Sequence, residues 1–194
     1  MVTMPVRYER RSHRAIRCVL AALAIAALPL VGRAQTYPRT LAATAETSGA
    51  TGTATGAFTI HVDQLMSDRD FKKVADALKY GGYLKFVPAI REAPPVGYVQ
   101  MGDRKTVIKY ARVRADKRLV LGTDHPIFFV GAGAPDAKPK TGYDVAVIEL
   151  DLDAAGNGKG TIAAAARVRP APDGGVVLDD YAAEPVRLSI KPAK

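Results

Sequence analysis

Two histidines beyond residue 34 are the side chains best suited to acid–base or metal chemistry. His61 lies on the polar side of an alternating pattern, and His125 follows Asp124 in a Thr-Asp-His-Pro sequence. Imidazole titrates near neutral pH and is a common metal ligand. Either histidine, with Asp124 or Asp144, would form the minimal set for a metal-assisted or acid–base hydrolase. The histidines are 64 positions apart, and two unrelated surface positions are the simpler interpretation.

Serine and cysteine nucleophiles have little support in the sequence. Ser67 precedes two acids as a helix cap would, and Ser189 alternates with Leu188 and Ile190 as in a strand. Ser48 lies in a segment rich in small residues, and no serine lies in a Gly-x-Ser-x-Gly turn. The single cysteine, at position 18, lies in a predicted signal peptide. We therefore expect no catalytic residue, no cofactor and no metal ligand.

An acidic run between 151 and 158 has some oxygen donors of a calcium-binding loop. Ala155 and Ile162 stand where such a loop needs a third donor and a bidentate glutamate. The glycines favour a hairpin turn instead.

Aromatic side chains give the sequence's best indication of a ligand-contact surface. Tyr80 and Tyr83 flank a Gly-Gly pair, and Phe128 and Phe129 follow His125 by a few residues. Neighbouring residues of a strand point to opposite faces, so one of the two phenylalanines would face outward. We predict ligand contacts at Tyr80, Tyr83, Phe128, Phe129 and His125. Aromatic residues at such spacings more often belong to a core, which is the alternative interpretation.

The elements that would position these residues are one or two helices followed by strands. Residues 56–63 alternate as a half-buried strand, and Ser67 predicts the cap of a helix over 67–80 that Gly81-Gly82 ends. The apolar face of this helix would be formed by Phe71, Val74 and Leu78. A second, shorter helix is predicted over 83–93.

From residue 96 onward the pattern is one of strands and turns. Strands are predicted at 96–101, 105–113, 117–122, 126–131, 143–152, 159–169, 175–181 and 185–190. We therefore predict an α+β domain, mainly β. Its antiparallel sheet would be closed as a barrel or folded as a sandwich, with one or two N-terminal helices packed on it.

The first 34 residues have the pattern of a secretory signal peptide. Arginines precede an apolar stretch of 14 residues (18–31), and Gly-Arg-Ala follows as a cleavage site. The stretch is shorter than the roughly 20 residues that span a bilayer. We predict cleavage after Ala34, a periplasmic or extracellular location and no transmembrane span after cleavage.

Beyond residue 34, the composition predicts a flexible leader (35–55) and a single β-rich domain (56–194). The signal segment holds six arginines and one glutamate, which leaves 22 basic and 18 acidic residues and a net charge of +4. The basic residues are interleaved with acids, which favours a solvated surface over a nucleic-acid partner.

Several short segments resemble a family of small secreted bacterial proteins without an established activity. They include Gly97-Tyr98-Val99, the run 121–127, the strand pattern 147–150 and the closing pattern 180–188. Members of that family tend to have Thr-Asp-Arg-Pro where this chain has His125 in the third position. The resemblance covers about residues 56–190 and implies export and a shared fold.

Three functions follow as hypotheses. The first is a non-catalytic extracytoplasmic module that binds an envelope protein, a lipid or a small apolar ligand. The second is the histidine–aspartate hydrolase, and the third is a structural protein of the cell envelope.

Overall fold

Nine strands and one broken helix make up the described part of the computed structural model, which covers residues 36–49, 52–127, 141–170, 176–180 and 186–193. The elements are β1 (Arg39–Gly49), β2 (Gly52–Val62), α1 (Asp68–Glu92), β3 (Gly97–Met101), β4 (Arg104–Val113), β5 (Leu119–Thr123), β6 (Val145–Leu152), β7 (Gly158–Pro170), β8 (Val176–Asp180) and β9 (Val186–Pro192).

Eight of the strands close into an antiparallel barrel. Each strand from β1 to β7 pairs with the next, β7 pairs with β9, and β9 pairs with β1. Strand β8 lies outside this ring and pairs with the far end of β7, at residues 166–170. The mainly β, α+β class is confirmed, and the barrel is the correct one of the two predicted sheet arrangements.

The barrel interior is filled by aliphatic side chains. Ala111, Leu121, Ile148 and Ile162 are consecutive cross-strand partners on β4, β5, β6 and β7, and each is 0 % exposed. Rows of this kind make the inside of a small barrel a packed core rather than a channel.

The prediction of a flexible leader is wrong over most of its length. Residues 39–49 form β1, which lies between β2 and β9 in the barrel. Leu41, Ala43 and Ala45 are buried, whereas Thr44 is exposed, so the segment has the period of two of a strand. Its interior positions are mostly alanine, which hid the apolar half of the pattern.

The later strands lie close to their predicted positions, with one exception. Residues 126 and 127 of the predicted strand 126–131 follow β5 in irregular structure, and residues 128–131 are outside the described residues. Phe128 and Phe129 belong to this second group.

The helical segment begins as predicted. Ser67 Oγ accepts a hydrogen bond from the Asp70 backbone N–H at 3.1 Å, which satisfies one of the unpaired donors of the first turn. Val74 and Leu78 are buried. Phe71 is only half-buried and packs against Tyr110, with a ring-centroid distance of 6.2 Å.

The second half of α1 packs on the outer wall of the barrel. Leu121 and Thr123 of β5 point inward, so Gly122 between them faces outward. A Cβ on Gly122 would lie 3.5 Å from Ile90 Cδ1 and 3.2 Å from Tyr110 Cβ. The glycine therefore gives the helix close contact with the sheet.

Candidate functional site

The helical segment folds back on itself at a Gly-Gly pair. Lys73 Nζ and Glu92 Oε2 form an ion pair at 3.0 Å although the residues are 19 positions apart. In a straight helix they would be about 28 Å apart along the axis. The two arms, residues 68–81 and 83–92, therefore form a helical hairpin, and the predicted end of the first helix at Gly81-Gly82 is confirmed.

Glycine is needed at the bend for two different reasons. Gly82 has φ 60° and ψ −162°, a combination that is essentially restricted to glycine. A Cβ on Gly81 would lie 2.5 Å from Lys85 Cβ, so a side chain there would collide with the second arm.

The residues of the bend expose two large apolar side chains. Tyr80 is 77 % exposed and Leu84 is 85 % exposed. No other described large hydrophobic residue exceeds 40 %. We call residues 79–85, Lys-Tyr-Gly-Gly-Tyr-Leu-Lys, the hairpin tip. Its two lysines are exposed, and Lys79 Nζ lies 5.2 Å from the centroid of the Tyr80 ring.

A groove of about 460 Å³ lies between the two arms. Asp76, Ala77 and Tyr80 line it from the first arm, and Lys85 and Pro88 are among the residues that line it from the second. Tyr80 therefore belongs to the tip and also lines the groove.

Tyr83 attaches the hairpin to the barrel. Its hydroxyl donates to Asp144 Oδ2 at 3.0 Å and accepts from the Asp144 backbone N–H at 2.7 Å. The Arg167 guanidinium lies 5.7 Å from the ring centroid. Burial raises the pKa of Tyr83 to about 12. Tyr83 was predicted as a ligand contact, and in the structure its hydroxyl is bound to Asp144, so that Tyr83 anchors the tip to the barrel.

Arg91 adds a second attachment near the end of the hairpin. Its Nε donates to the Asp124 carbonyl oxygen at 3.3 Å, and Nη2 lies 3.9 Å from Asp144 Oδ1. These contacts and those of Tyr83 join the second arm to the end of β5 and to the residue before β6. The second arm, which carries the tip, is therefore held on the barrel by several side-chain contacts.

The structure brings His125 together with Asp124. Their Nδ1 and Oδ1 atoms are 3.0 Å apart, because the two residues lie in a bend instead of a strand. The contact lacks hydrogen-bond geometry, and the shielded Asp124 Oδ1 accepts no hydrogen bond from the described residues. The His125 side chain is 66 % exposed. The contact is therefore a surface ion pair when the imidazole is protonated.

His61 lies in a different set of contacts. Thr40 Oγ1 is 2.7 Å from its Nδ1, and Asp63 Oδ1 is 3.1 Å from its Nε2. The imidazole stacks on Tyr98 at a centroid distance of 5.0 Å. His61 and Thr40 are direct cross-strand partners, so the register of β1 and β2 by itself brings them together.

Within the ranges that the structure describes, no three histidine, cysteine, aspartate or glutamate side chains are grouped as a metal site. Asp153 of the calcium-like run instead accepts hydrogen bonds from the Asn157 backbone and side chain at 2.9 and 3.3 Å, within the β6–β7 turn.

A small cavity of about 100 Å³ lies at one end of the barrel, lined by Val99, Met101, Arg104, Thr106, Pro126 and Ile127. Pockets for drug-sized ligands are usually about 300–1,000 Å³. Because the interior rows are packed, this cavity has room only for a very small molecule.

The outer wall carries a larger groove, of about 610 Å³, where charges of both signs alternate. It is lined in part by Glu46, Glu149, Asp151, Arg118, Lys159 and Arg187. Glu149 pairs with Arg118 at 3.7 Å and with Arg114, outside the groove, at 3.3 Å. This balance of charge is that of an ordinary solvated sheet face.

Comparison with known proteins finds no protein-family model, no curated protein and no solved structure that matches this chain. The resemblance to a family of small secreted bacterial proteins therefore stays a prediction. The site must be interpreted from its own geometry, in which the hairpin tip is the main exposed apolar feature of the described surface. The Gly-Gly pair signalled it in the sequence, but Leu84 was missed because it fits a helical apolar face.

Proposed function

We propose that this protein is a non-catalytic extracytoplasmic binding module that docks onto a component of the cell envelope through the hairpin tip. The observation that carries the proposal is the exposure of Tyr80 and Leu84 at 77 % and 85 % on an anchored hairpin. Export through the signal-like segment 1–34 supplies the location.

The energetics favour a role for the tip in binding. Transfer of a large apolar side chain from water to an apolar environment contributes roughly 1.5–3 kcal/mol. Tyr80 and Leu84 are mostly exposed in the folded chain, so most of this free energy is still available on binding to a partner. The contacts of Tyr83 and Arg91 hold the hairpin on the barrel, which lowers the entropy lost when it docks.

The packed barrel interior supports the same conclusion. A binding module that used the barrel mouth would need a cavity of ligand size, and the cavity at Val99 and Ile127 is about 100 Å³. A surface contact at the tip needs no cavity. An envelope partner, either lipid or protein, fits this geometry better than an enclosed small ligand.

An acid–base hydrolase is the second candidate function, and the contact chain from Thr40 through His61 to Asp63 favours it. A hydroxyl on one ring nitrogen and a carboxylate on the other is the arrangement that activates a nucleophile. Ester hydrolysis by the purified protein that is lost in both Thr40→Val and His61→Gln would establish it. Unchanged hydrolysis in these variants would remove it.

The docking proposal is tested on isolated cell envelopes. Protein that begins at residue 35 and retains every described element is sedimented with envelopes, and the bound fraction is compared with that of the double variant Tyr80→Ser/Leu84→Ser. We expect binding by the unmodified protein and loss of binding by the variant. The matched control is Leu65→Ser/Val113→Ser, which changes two apolar residues that are 37 % and 40 % exposed elsewhere. The proposal would be wrong if the tip variant and the control variant sedimented equally. It would also be wrong if the unmodified protein did not sediment with envelopes.

The location is tested separately. The N-terminal sequence of material from the periplasm or culture medium is expected to begin at Gln35. Recovery of the intact 194-residue chain from the cytoplasm would contradict export.

A further inference from the structure

We infer that the hairpin tip docks on the interface of an anionic lipid bilayer. This inference rests on the proposed docking through the tip and specifies its partner. Three independent features of the tip carry it: its charge, its shape and its residue types.

The tip itself is positively charged and contains no acidic residue, and the Asp144 carboxylate that contacts Tyr83 is also paired with Arg91. No acidic residue occurs between Asp76 and Glu92, whereas Lys79 and Lys85 lie in the tip itself. The two flanking acids are already paired, Asp76 with Lys72 and Glu92 with Lys73. An anionic surface that approaches the bend therefore meets two lysines and no competing carboxylate on the helical segment. Basic residues beside an apolar contact are the usual basis of attraction to anionic lipid.

The shape of the tip favours lipid over a protein partner. The exposed apolar surface consists of two side chains at a bend, and a side chain of tyrosine size buries about 150–250 Å². A stable protein–protein interface buries about 1,200–2,000 Å² in total. Two projecting side chains do not supply such an area. A bilayer accommodates them without a complementary surface because its lipids rearrange around the inserted groups.

The residue types suit the depth at which such a tip would rest. Tyrosine is enriched at membrane–water interfaces, where its ring contacts acyl chains and its hydroxyl remains hydrated. Leu84 adds a fully apolar group, and the stems of Lys79 and Lys85 can extend toward the headgroups with their ammonium groups in water. Glycines at positions 81 and 82 leave the end of the bend without a side chain. The tip thus combines shallow apolar insertion with phosphate contact, and the barrel remains outside the bilayer.

The contact that we infer is confined to one leaflet, because only the side chains of the tip enter the bilayer. Within the described ranges no helix is long and apolar enough to cross a membrane. A contact of this size is weak and reversible. Its binding free energy depends both on the burial of the apolar side chains and on the attraction between the lysines and anionic lipid.

The test uses protein-free vesicles and the chain that begins at residue 35. Flotation with phosphatidylcholine vesicles is compared with flotation in the presence of phosphatidylglycerol, at low and at high salt. We expect binding only to the anionic vesicles, and weaker binding at high salt. Lys79→Gln/Lys85→Gln is expected to lower the affinity by about fivefold for each lysine. Lys159→Gln/Lys191→Gln, which removes the same charge from exposed positions on the barrel, is expected to change the affinity far less.

A position-specific readout is available because the chain contains no tryptophan. In Tyr80→Trp the single indole is expected to shift its emission to the blue when anionic vesicles are added. In Leu65→Trp, which places the indole away from the tip, the emission is expected to stay unchanged. Thermal unfolding of each variant shows that the fold is retained.

The outcomes separate this inference from the proposed function. If the protein ignores anionic vesicles while its sedimentation with envelopes still requires Tyr80 and Leu84, the partner is an envelope protein and the lipid inference is wrong. If neither vesicles nor envelopes bind through the tip, both proposals fall. Equal binding to neutral and anionic vesicles would also overturn the inference, because it would give the lysines no role.

Discussion

Ala43 of β1 lies directly opposite Ile190 of β9, and both side chains are buried in the barrel interior. Ala45 and Leu188 form the next inward-facing pair along the same two strands. A small residue on one strand thus faces a large residue on the other, which fills the interior where β1 closes the barrel. The closure depends on a segment that contains few large apolar residues.

The first prediction concerns this closing strand. A chain that begins at residue 56 lacks β1 and the first residues of β2, so β9 loses its barrel partner on that side. We expect this chain to lose cooperative thermal unfolding, monitored by circular dichroism. A chain that begins at residue 35 is the control and is expected to unfold in one cooperative transition. Cooperative unfolding of the shorter chain would show that β1 is dispensable for closure.

The error in the sequence interpretation has the same physical origin. Strands β3 to β6 and β9 were predictable because they carry valine, isoleucine or leucine at buried positions. In β1 the inward residues are Leu41, Ala43 and Ala45, and alanine has little β-propensity and little apolar area. Only the partners across the sheet, Leu188 and Ile190, show why small residues fit there, and this pairing is not visible from local sequence.

The candidate site was predictable in part for a similar reason. The Gly-Gly pair marked the end of the first helix, and the tyrosines around it marked an unusual segment. The difference between Tyr80 and Tyr83 depends on Asp144, which lies 61 positions beyond Tyr83. Local sequence therefore located the tip but did not distinguish the exposed tyrosine, Tyr80, from the anchoring one, Tyr83.

The second prediction concerns the bend. Gly82→Ala places a side chain at φ 60°, ψ −162° and is expected to lower the free energy of unfolding by about 1–3 kcal/mol. Leu84→Ala is the control in the same tip, and because Leu84 is 85 % exposed it is expected to change stability by no more than about 0.5 kcal/mol. Chemical denaturation measures both. Equal stability of the two variants would mean that the chain passes the bend without this conformation.

The third prediction concerns the apolar face of the first arm. Leu78 is 6 % exposed, so Leu78→Ala is expected to cost about 2–5 kcal/mol. Phe71 is half-buried against Tyr110, and Phe71→Ala is expected to cost about half of the roughly 3–5 kcal/mol that a fully buried phenylalanine contributes. Denaturant unfolding of the two variants measures which one loses more free energy of unfolding. A larger loss for Phe71→Ala would show that the arm packs on the barrel mainly through its first turn.

The fourth prediction concerns the anchor at neutral pH. Tyr83→Phe keeps the ring and removes the hydroxyl, so the Asp144 backbone N–H and Oδ2 both lose a partner. We expect a loss of about 1–3 kcal/mol, measured by denaturant unfolding at neutral pH. Tyr80→Phe is the control at the exposed position and is expected to leave stability unchanged. Vesicle binding by Tyr83→Phe then shows whether a loosened hairpin docks less well.

The last prediction concerns the response of the same anchor to alkaline pH. Burial raises the pKa of Tyr83 to about 12, whereas an unfolded tyrosine has a pKa of about 10. Between these values the folded protein binds more protons than the unfolded chain, so stability must fall as the pH rises. The contribution of the hydroxyl to stability is complete below about pH 10 and is lost as the pH passes about 12.

Burial also raises the pKa of Tyr37 and Tyr110, so the stability of Tyr83→Phe should decline less steeply with pH but should not stay constant. The free energy of unfolding of both proteins, measured from pH 9 to 12, gives the two slopes. Parallel slopes would mean that the Tyr83 hydroxyl titrates as freely in the folded protein as in the unfolded chain.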